Sequence, residues 1–346
     1  MEAERTISWD ERTGSVILID QTLLPETFKV ISCTDVPCLV DAIQRLAVRG
    51  APALGVAGGY GVALAACSTR EIPFNRFISV VQGLAHNVRN ARPTAINLAW
   101  GVDRVLRAMD AADSADEARN LALTEAKKIA DEDIAVCRQI GEFGADLLPD
   151  RCTVLTHCNA GALACTAWGT ALGIIRTAVQ QGKEVKVIAC ETRPLLQGAR
   201  LTAWELTRDS IDVRVITDSS AASFMRQGRV DFVLVGADRI TRDAIFNKIG
   251  TYMHAVCARY HAIPFYVAAP MSTFDLIHVE SDILIEERKR EELSVCGDRI
   301  MVPEKAGVLN YAFDATPISL INGVVTEQGI LSPPFSSRSD LSGKEP

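Results

Sequence analysis

Cys158 closes an apolar run, Thr153-Val154-Leu155-Thr156-His157, and is followed by Asn159-Ala160-Gly161. A thiol after such a run is commonly just packed. Placed at a strand end ahead of a helix start, it gains backbone N–H groups that favour the thiolate. Asp238 follows Phe232-Val-Leu-Val-Gly-Ala237, so its carboxyl is expected in apolar surroundings. Desolvation there favours the protonated acid, which suits a proton donor at neutral pH. An ion pair with Arg239 or a helix cap is the competing structural reading. Arg49-Gly50-Ala51, just before Pro52, offers a guanidinium and backbone N–H groups near a helix start, a cradle for an anion. Asn247-Lys248, ahead of another expected helix, is a weaker candidate of the same kind. His157 is expected to hydrogen-bond structurally, and Cys33, Cys67, Cys137 and Cys257 to lie in the core.

Motifs that would bring in a cofactor do not occur. No G-x-G-x-x-G follows a strand and no G-x-x-x-x-G-K is present, which excludes the usual dinucleotide and triphosphate loops. The five histidines show no H-E-x-x-H or Cys/His ligand spacing, so no metal is expected. What is left is cofactor-free acid–base chemistry on a small anionic substrate. The net charge of −7 argues against nucleic acid, yet one or two local cations still suffice for a phosphate. Ten cysteines without a C-x-x-C pair read as reduced thiols rather than a disulfide framework. The charged opening residues carry no apolar leader, and the expectation is a cytoplasmic protein. Residues 50–69 reach membrane-span length. They are mostly Gly and Ala and include Pro52, as a closely packed soluble helix would, so no membrane partner is expected.

These residues need a scaffold, and 346 residues suggest two packed units. Strands are expected at Val16–Asp20, Thr153–His157, Val185–Cys190, Val213–Thr217, Phe232–Gly236 and Pro264–Ala268. The last five are continuous apolar runs, as in strands buried on both faces, and helix-length segments separate them. That alternation predicts an α/β fold with a parallel, doubly wound sheet. Ligands bind such sheets beyond the carboxyl ends of the strands. There the chain delivers Cys158, then Cys190-Glu191-Thr192-Arg193-Pro194, then Asp218, then Asp238-Arg239. Helices are expected over Pro37–Val48 and, as a long connector, Ser114–Phe143. The expected division is a small mixed α/β domain over 1–130, a Rossmann-like catalytic domain over 131–331 and a flexible tail over 332–346.

The chain resembles the methylthioribose-1-phosphate isomerase family of the methionine salvage pathway. The resemblance rests on VRGAPALGVAGGYGVALA (48–65), ARPTAINLAW (91–100), THCNAGALACTAWGTALG (156–173), ETRPLLQGARLTAWEL (191–206), VGADRI (235–240) and NKIGTY (247–252). It implies a small N-terminal domain, a Rossmann-like C-terminal domain and a homodimer. It also implies that Cys158 supports the transition state and Asp238 is the proton donor. Phosphate and sugar contacts would fall on Arg49, Gly50, Ala51, Arg92, Gln197, Asn247 and Lys248. Arg49, Arg92 and Lys248 are then expected to serve one phosphate. The implied reaction turns 5-methylthioribose 1-phosphate into 5-methylthioribulose 1-phosphate. The alternatives are the same isomerisation of 5-deoxyribose 1-phosphate or ribose 1,5-bisphosphate, or a non-catalytic regulatory subunit of translation initiation. The chain departs from the family pattern at residues 241–246, at Leu46-Ala47 and at Cys190, where an acidic residue is common. None of these changes removes a named catalytic residue.

Overall fold

A computed structural model describes residues 5–93 and 95–335, and the chain divides into two compact units. The first comprises Met1–Cys137 with Gly161–Gly169, the second Arg138–Ala160 with Thr170–Pro346. The sequence suggested a single boundary near residue 130. The chain instead returns Gly161–Gly169 to the first unit, a non-local exchange that a linear pattern cannot reveal.

In the first unit, strands β1 (Ile7–Asp10), β2 (Ser15–Ile19) and β3 (Val30–Cys33) form an antiparallel sheet. Helices α1 (Val36–Gln44), α2 (Ala51–Ser68), α3 (Phe74–Arg89), α4 (Ile96–Met109) and α5 (Ala115–Ala145) follow, and α5 carries the chain into the second unit. Asp35 caps α1 by accepting the Cys38 N–H at 2.9 Å, and Pro37 occupies its first turn. Helix α2 is long and apolar enough to cross a membrane, yet 78% of it is buried within the protein. Its glycines explain how. A Cβ on Gly58 would lie 2.4 Å from the Leu98 carbonyl oxygen, and one on Gly101 only 1.9 Å from that of Gly55. Helices α2 and α4 thus meet backbone to backbone, an approach that only glycine permits. Of the cysteines expected in the core, Cys33 and Cys137 are buried and Cys257 half-buried. Cys67 is exposed, because it falls in the last turn of α2.

The second unit contains β4 (Arg151–Thr156), α6 (Ala171–Gln180), β5 (Glu184–Cys190), α7 (Ala203–Arg208), β6 (Val213–Ile216), α8 (Ala221–Arg226) and β7 (Phe232–Val235). Then come β8 (Arg239–Ile240), β9 (Ala244–Lys248), α9 (Thr251–Tyr260), β10 (Phe265–Ala268), α10 (Arg290–Ser294), β11 (Val295–Cys296) and β12 (Arg299–Ile300). Strands β13 (Phe313–Pro317), β14 (Gly323–Thr326) and β15 (Gly329–Leu331) complete it. Seven strands form one sheet in the order β15-β14-β10-β7-β4-β5-β6, parallel throughout except for β15. This is the doubly wound architecture expected, extended by β14 and β15. From β4 the chain winds outward through β5 and β6, and then returns to β4's other side with β7. The reversal makes the β4/β7 gap the topological switch point, where open α/β sheets bind ligands.

Asn247 and Lys248 precede helix α9, as expected, and they lie on strand β9 of a separate sheet, β13-β9-β8. The run Ala244-Ile245-Phe246 is wholly buried, and that apolar run was the available signal. Of the supposed flexible tail, Phe335 is 1% exposed and meets Phe274 edge-on at 5.5 Å, so the chain is packed up to that point. Residues 336–346 lie outside the described residues.

Candidate active site

Strand β4 ends at Thr156 and presents Cys158 two residues later; β7 ends at Val235 and presents Asp238 three residues later. The two strands are hydrogen-bonded neighbours, so both residues stand at the switch point. The loops behind them touch: a Cβ on Gly236 would come 2.8 Å from that of Ala160. Both residues are half-buried. The Asp238 N–H donates to the Phe246 carbonyl at 2.9 Å, which sets Asp238 beside β9 and next to Asn247. A strand follows Asp238, so it caps no helix, and Arg239 lies 3.5 Å from Asp275.

Cys158 is held differently from what the sequence suggested. No α-helix starts behind it; the next in this unit is α6, at Ala171. Its backbone instead adopts φ 63°, in the left-handed region. Its N–H donates to Thr192 Oγ1 at 2.8 Å, and its carbonyl accepts from Thr202 Oγ1 at 2.7 Å. Asn159 is buried beside it and donates to Thr202 Oγ1 at 3.1 Å and to Glu205 Oε1 at 2.9 Å. The buried Glu205 is neutralised by Arg176 at 2.8 Å. Thr192 and Thr202 were visible in the sequence, but their role depends on β4 pairing with β5.

The turn after β5 carries Gln197 to the start of a π-helical segment, Gly198–Thr202, a rare form that recurs at functional sites. A Cβ on Gly198 would lie 1.7 Å from the Cys190 carbonyl oxygen, so the turn folds back onto its own strand. Gln197 is 6% exposed, and among the described residues its Oε1 has no hydrogen-bond partner. An orphaned buried acceptor costs about 1–3 kcal/mol, and it is the arrangement expected of a group awaiting a ligand hydroxyl. Asn247 donates to Thr251 Oγ1 at 3.0 Å. The buried Lys248 places Nζ 4.9 Å above the Phe313 ring. Nearby, Asp314 accepts the Gly250 N–H at 2.7 Å at the start of α9, and burial pushes its carboxyl up to about 6.

The remaining candidates belong to the first unit. Arg49 is buried and donates from Nε to Gln21 Oε1 at 2.9 Å, while Gln21 donates to the Leu163 carbonyl at 2.7 Å. Gly50 is the N-cap of α2 with φ 98°. A Cβ there would lie 2.5 Å from the Ala164 carbonyl oxygen, so only glycine fits. No side chain caps α2, which leaves its first-turn N–H groups, Ala51 among them, as anion donors. Arg92 lies half-buried in the α3–α4 connection.

Among the described residues, two side-chain groups have the composition of metal sites. Asp133, Cys137 and Cys165 lie together in the first unit; His157, Cys190, Asp218 and His254 do so in the second, with donor atoms within 4.8 Å of one another. Sequence spacing could not reveal either group. In the second, hydrogen bonding fixes the protons. His157 Nε2 donates to the Ile249 carbonyl at 2.8 Å, which leaves Nδ1 bare, and His254 Nε2 donates to that Nδ1 at 3.2 Å. His254 Nδ1 is then a lone pair with no partner among the described residues. An ion on His254 Nε2 would move the proton to Nδ1 and create an orphaned buried donor, the costlier arrangement. Burial drives both imidazoles down, His157 to about 4 and His254 to about 3, so the pair is neutral.

A sequence model of the initiation factor 2 subunit family matches residues 47–333. The chain belongs to that family. It is 52% identical over 331 residues, covering 96% of this chain and 95% of the relative, to a putative methylthioribose-1-phosphate isomerase of Methanosarcina acetivorans. Among solved structures it resembles 5-methylthioribose 1-phosphate isomerase of Pyrococcus horikoshii, with TM-score 0.91, 41% identity and coverage of 99% of this chain and 95% of that one. It also resembles a structure described as translation initiation factor eIF-2B, subunit delta, from Archaeoglobus fulgidus, with TM-score 0.87, 53% identity and 96% of each chain covered.

Proposed function

We propose that this protein isomerises 5-methylthioribose 1-phosphate to 5-methylthioribulose 1-phosphate, a step of methionine salvage, without a cofactor. The supporting observation is that Cys158 and Asp238 stand at adjacent strand ends flanking the switch point. The C1 oxygen of this sugar is esterified, so the ring cannot open by releasing a free aldehyde. The ring C1–O bond must break while phosphate stays attached, and the departing ring oxygen needs a proton. Asp238 supplies it. One hydrogen then passes from C2 to C1, and the C2 hydroxyl returns a proton to the Asp238 carboxylate as it becomes the ketone. Cys158 is assigned to that transfer. Gln197, with its orphaned acceptor, takes a sugar hydroxyl, and Asn247 is assigned a further sugar contact. Arg49, the Gly50–Ala51 backbone, Arg92 and Lys248 are the phosphate ligands that the family resemblance assigns in this reading.

The proposal extends to a cytoplasmic homodimer. None of the ten cysteines is joined in a disulfide, which suits a reducing compartment. Helix α9 exposes Tyr252, Val256 and Tyr260 at four-residue spacing, an apolar stripe suited to a second copy. The name of the Archaeoglobus fulgidus neighbour favours a second reading, a regulatory subunit; the presence of both Cys158 and Asp238 favours the enzyme.

The test is a turnover assay of purified protein on 5-methylthioribose 1-phosphate, 5-deoxyribose 1-phosphate and ribose 1,5-bisphosphate. Highest kcat/KM on the methylthio sugar is expected. Preference for another sugar overturns the substrate, and no turnover on any of them favours the regulatory reading.

A further inference from the structure

We propose that Thr192 and Asp218 are positioning residues that hold the Cys158 thiol in its reactive direction. The proposal rests on the reading of Cys158 as catalytic. It starts from two residues in an unfavourable conformation that face each other. Cys158 has φ 63° and Thr192 has φ 66°. For residues other than glycine the left-handed region is unfavourable, and a β-branched threonine there is a clear outlier. Such conformations persist only where the surroundings over-determine them.

Here the surroundings do so in series. The Asp218 carboxylate, at the end of β6, accepts the Thr192 N–H on Oδ1 and the Arg193 N–H on Oδ2, each at 2.8 Å. That clamp fixes the turn after β5. The fixed turn aims Thr192 Oγ1, which donates to the Cys190 carbonyl at 3.0 Å and accepts the Cys158 N–H at 2.8 Å. Thr202 holds the Cys158 carbonyl on the other side. The Cys158 peptide is therefore pinned at both ends, and its Cα–Cβ bond has one direction. Without the Thr192 hydroxyl the Cys158 N–H would lose its acceptor. The backbone could then relax out of the left-handed region, swinging Sγ away. Three neighbouring strands, β4, β5 and β6, thus cooperate to aim one thiol, although neither Thr192 nor Asp218 needs to touch the substrate.

The test compares Thr192→Val, which keeps the shape and loses the hydroxyl, with Thr192→Ser, which keeps the hydroxyl. Asp218→Asn removes one of two acceptor oxygens. Misplacement of a reacting group by about 1 Å can cost on the order of 100-fold. Thr192→Val should lower kcat by roughly 30- to 100-fold with KM changed less than about threefold, and Asp218→Asn should lower it by about tenfold. Thr192→Ser should stay within about threefold of the parent in kcat. A second readout is the alkylation rate of Cys158 by iodoacetamide, followed by peptide mass. Thr192→Val should shift it about fivefold or more, and Thr192→Ser should leave it near the parent rate. Parent-like kcat and alkylation in Thr192→Val, or equal damage in Thr192→Ser, overturns the proposal. If Thr192→Val does not fold, Thr192→Ser and Asp218→Asn decide by the same two readouts. Full turnover in Cys158→Ser would remove the catalytic reading of Cys158, while the alkylation comparison would still decide the positioning.

Discussion

The two units solve different problems. The first is stabilised by close approach: glycines of α2 and α4 let the helix backbones touch, and its large side chains Tyr60, Phe77 and Leu98 are fully buried. The second gathers unfavourable features at its strand ends. Among its described residues, Cys158, Thr192 and Leu196 have positive φ beyond the carboxyl ends of β4 and β5, while Ser210 and Ala262 have it in the turns after α7 and α9. The orphaned acceptor of Gln197 and the neutral His157–His254 pair lie beside them. Strain and unmet hydrogen bonds belong where a ligand will later supply the missing partner. Substitutions in the first unit should therefore cost stability, and those at the strand ends of the second should cost turnover.

The largest effect is expected at Asp238. Asp238→Asn keeps the size and removes the acid, so kcat should fall by about 10²–10⁴-fold while unfolding stays near the parent. A near-parent rate would end its role as proton donor. In the first unit, Gly101→Ala must push α4 away from the Gly55 carbonyl, 1.9 Å from the new Cβ. A stability loss of about 3 kcal/mol, read in denaturant unfolding, is expected. A loss below about 0.5 kcal/mol would show that this interface yields easily.

The units should also differ in their response to acid. Burial holds the folded pKa of His157 and His254 near 4 and 3, below the usual 6.5. At these two sites the unfolded chain binds more protons, so they cost the second unit stability as pH falls from 6.5 toward 4, partly offset by Asp314, whose burial-raised pKa of about 6 acts in the opposite sense. Asp133 in the first unit has the opposite sign. Burial raises its folded pKa to about 6, so the folded state holds the extra proton and stability is gained as pH falls through 6. Hydrogen exchange followed by mass reads the two units separately, and their protection should diverge between pH 6 and 4. His254→Leu should flatten the loss in the second unit; an unchanged slope would exclude the imidazole pair as its source.

The smallest effect, and the sharpest test of stored cost, is at Gln197. Gln197→Leu removes an orphaned acceptor, so stability should hold or rise by up to about 1 kcal/mol. Loss of its hydroxyl contact should raise KM by about tenfold. Lower stability with unchanged KM would mean that the amide serves the fold alone.

What the sequence determined by itself was local or periodic. Five apolar runs separated by helix-length segments specified the parallel sheet, because strands buried on both faces have no polar side. The same logic placed Cys158 and Asp238 at strand ends, and Arg49-Gly50-Ala51 at the start of α2. The tertiary structure decided what depends on pairing between distant segments. The order of β7, β4 and β5 made Thr192 the acceptor for the Cys158 amide, 34 residues away in the chain. Packing left Gln197 Oε1 without a partner and set His254 against His157, 97 residues apart. It also put the thiol on a left-handed residue rather than a helix N-terminus. Periodicity reports which face of an element is buried, whereas these contacts are set by which strands become neighbours.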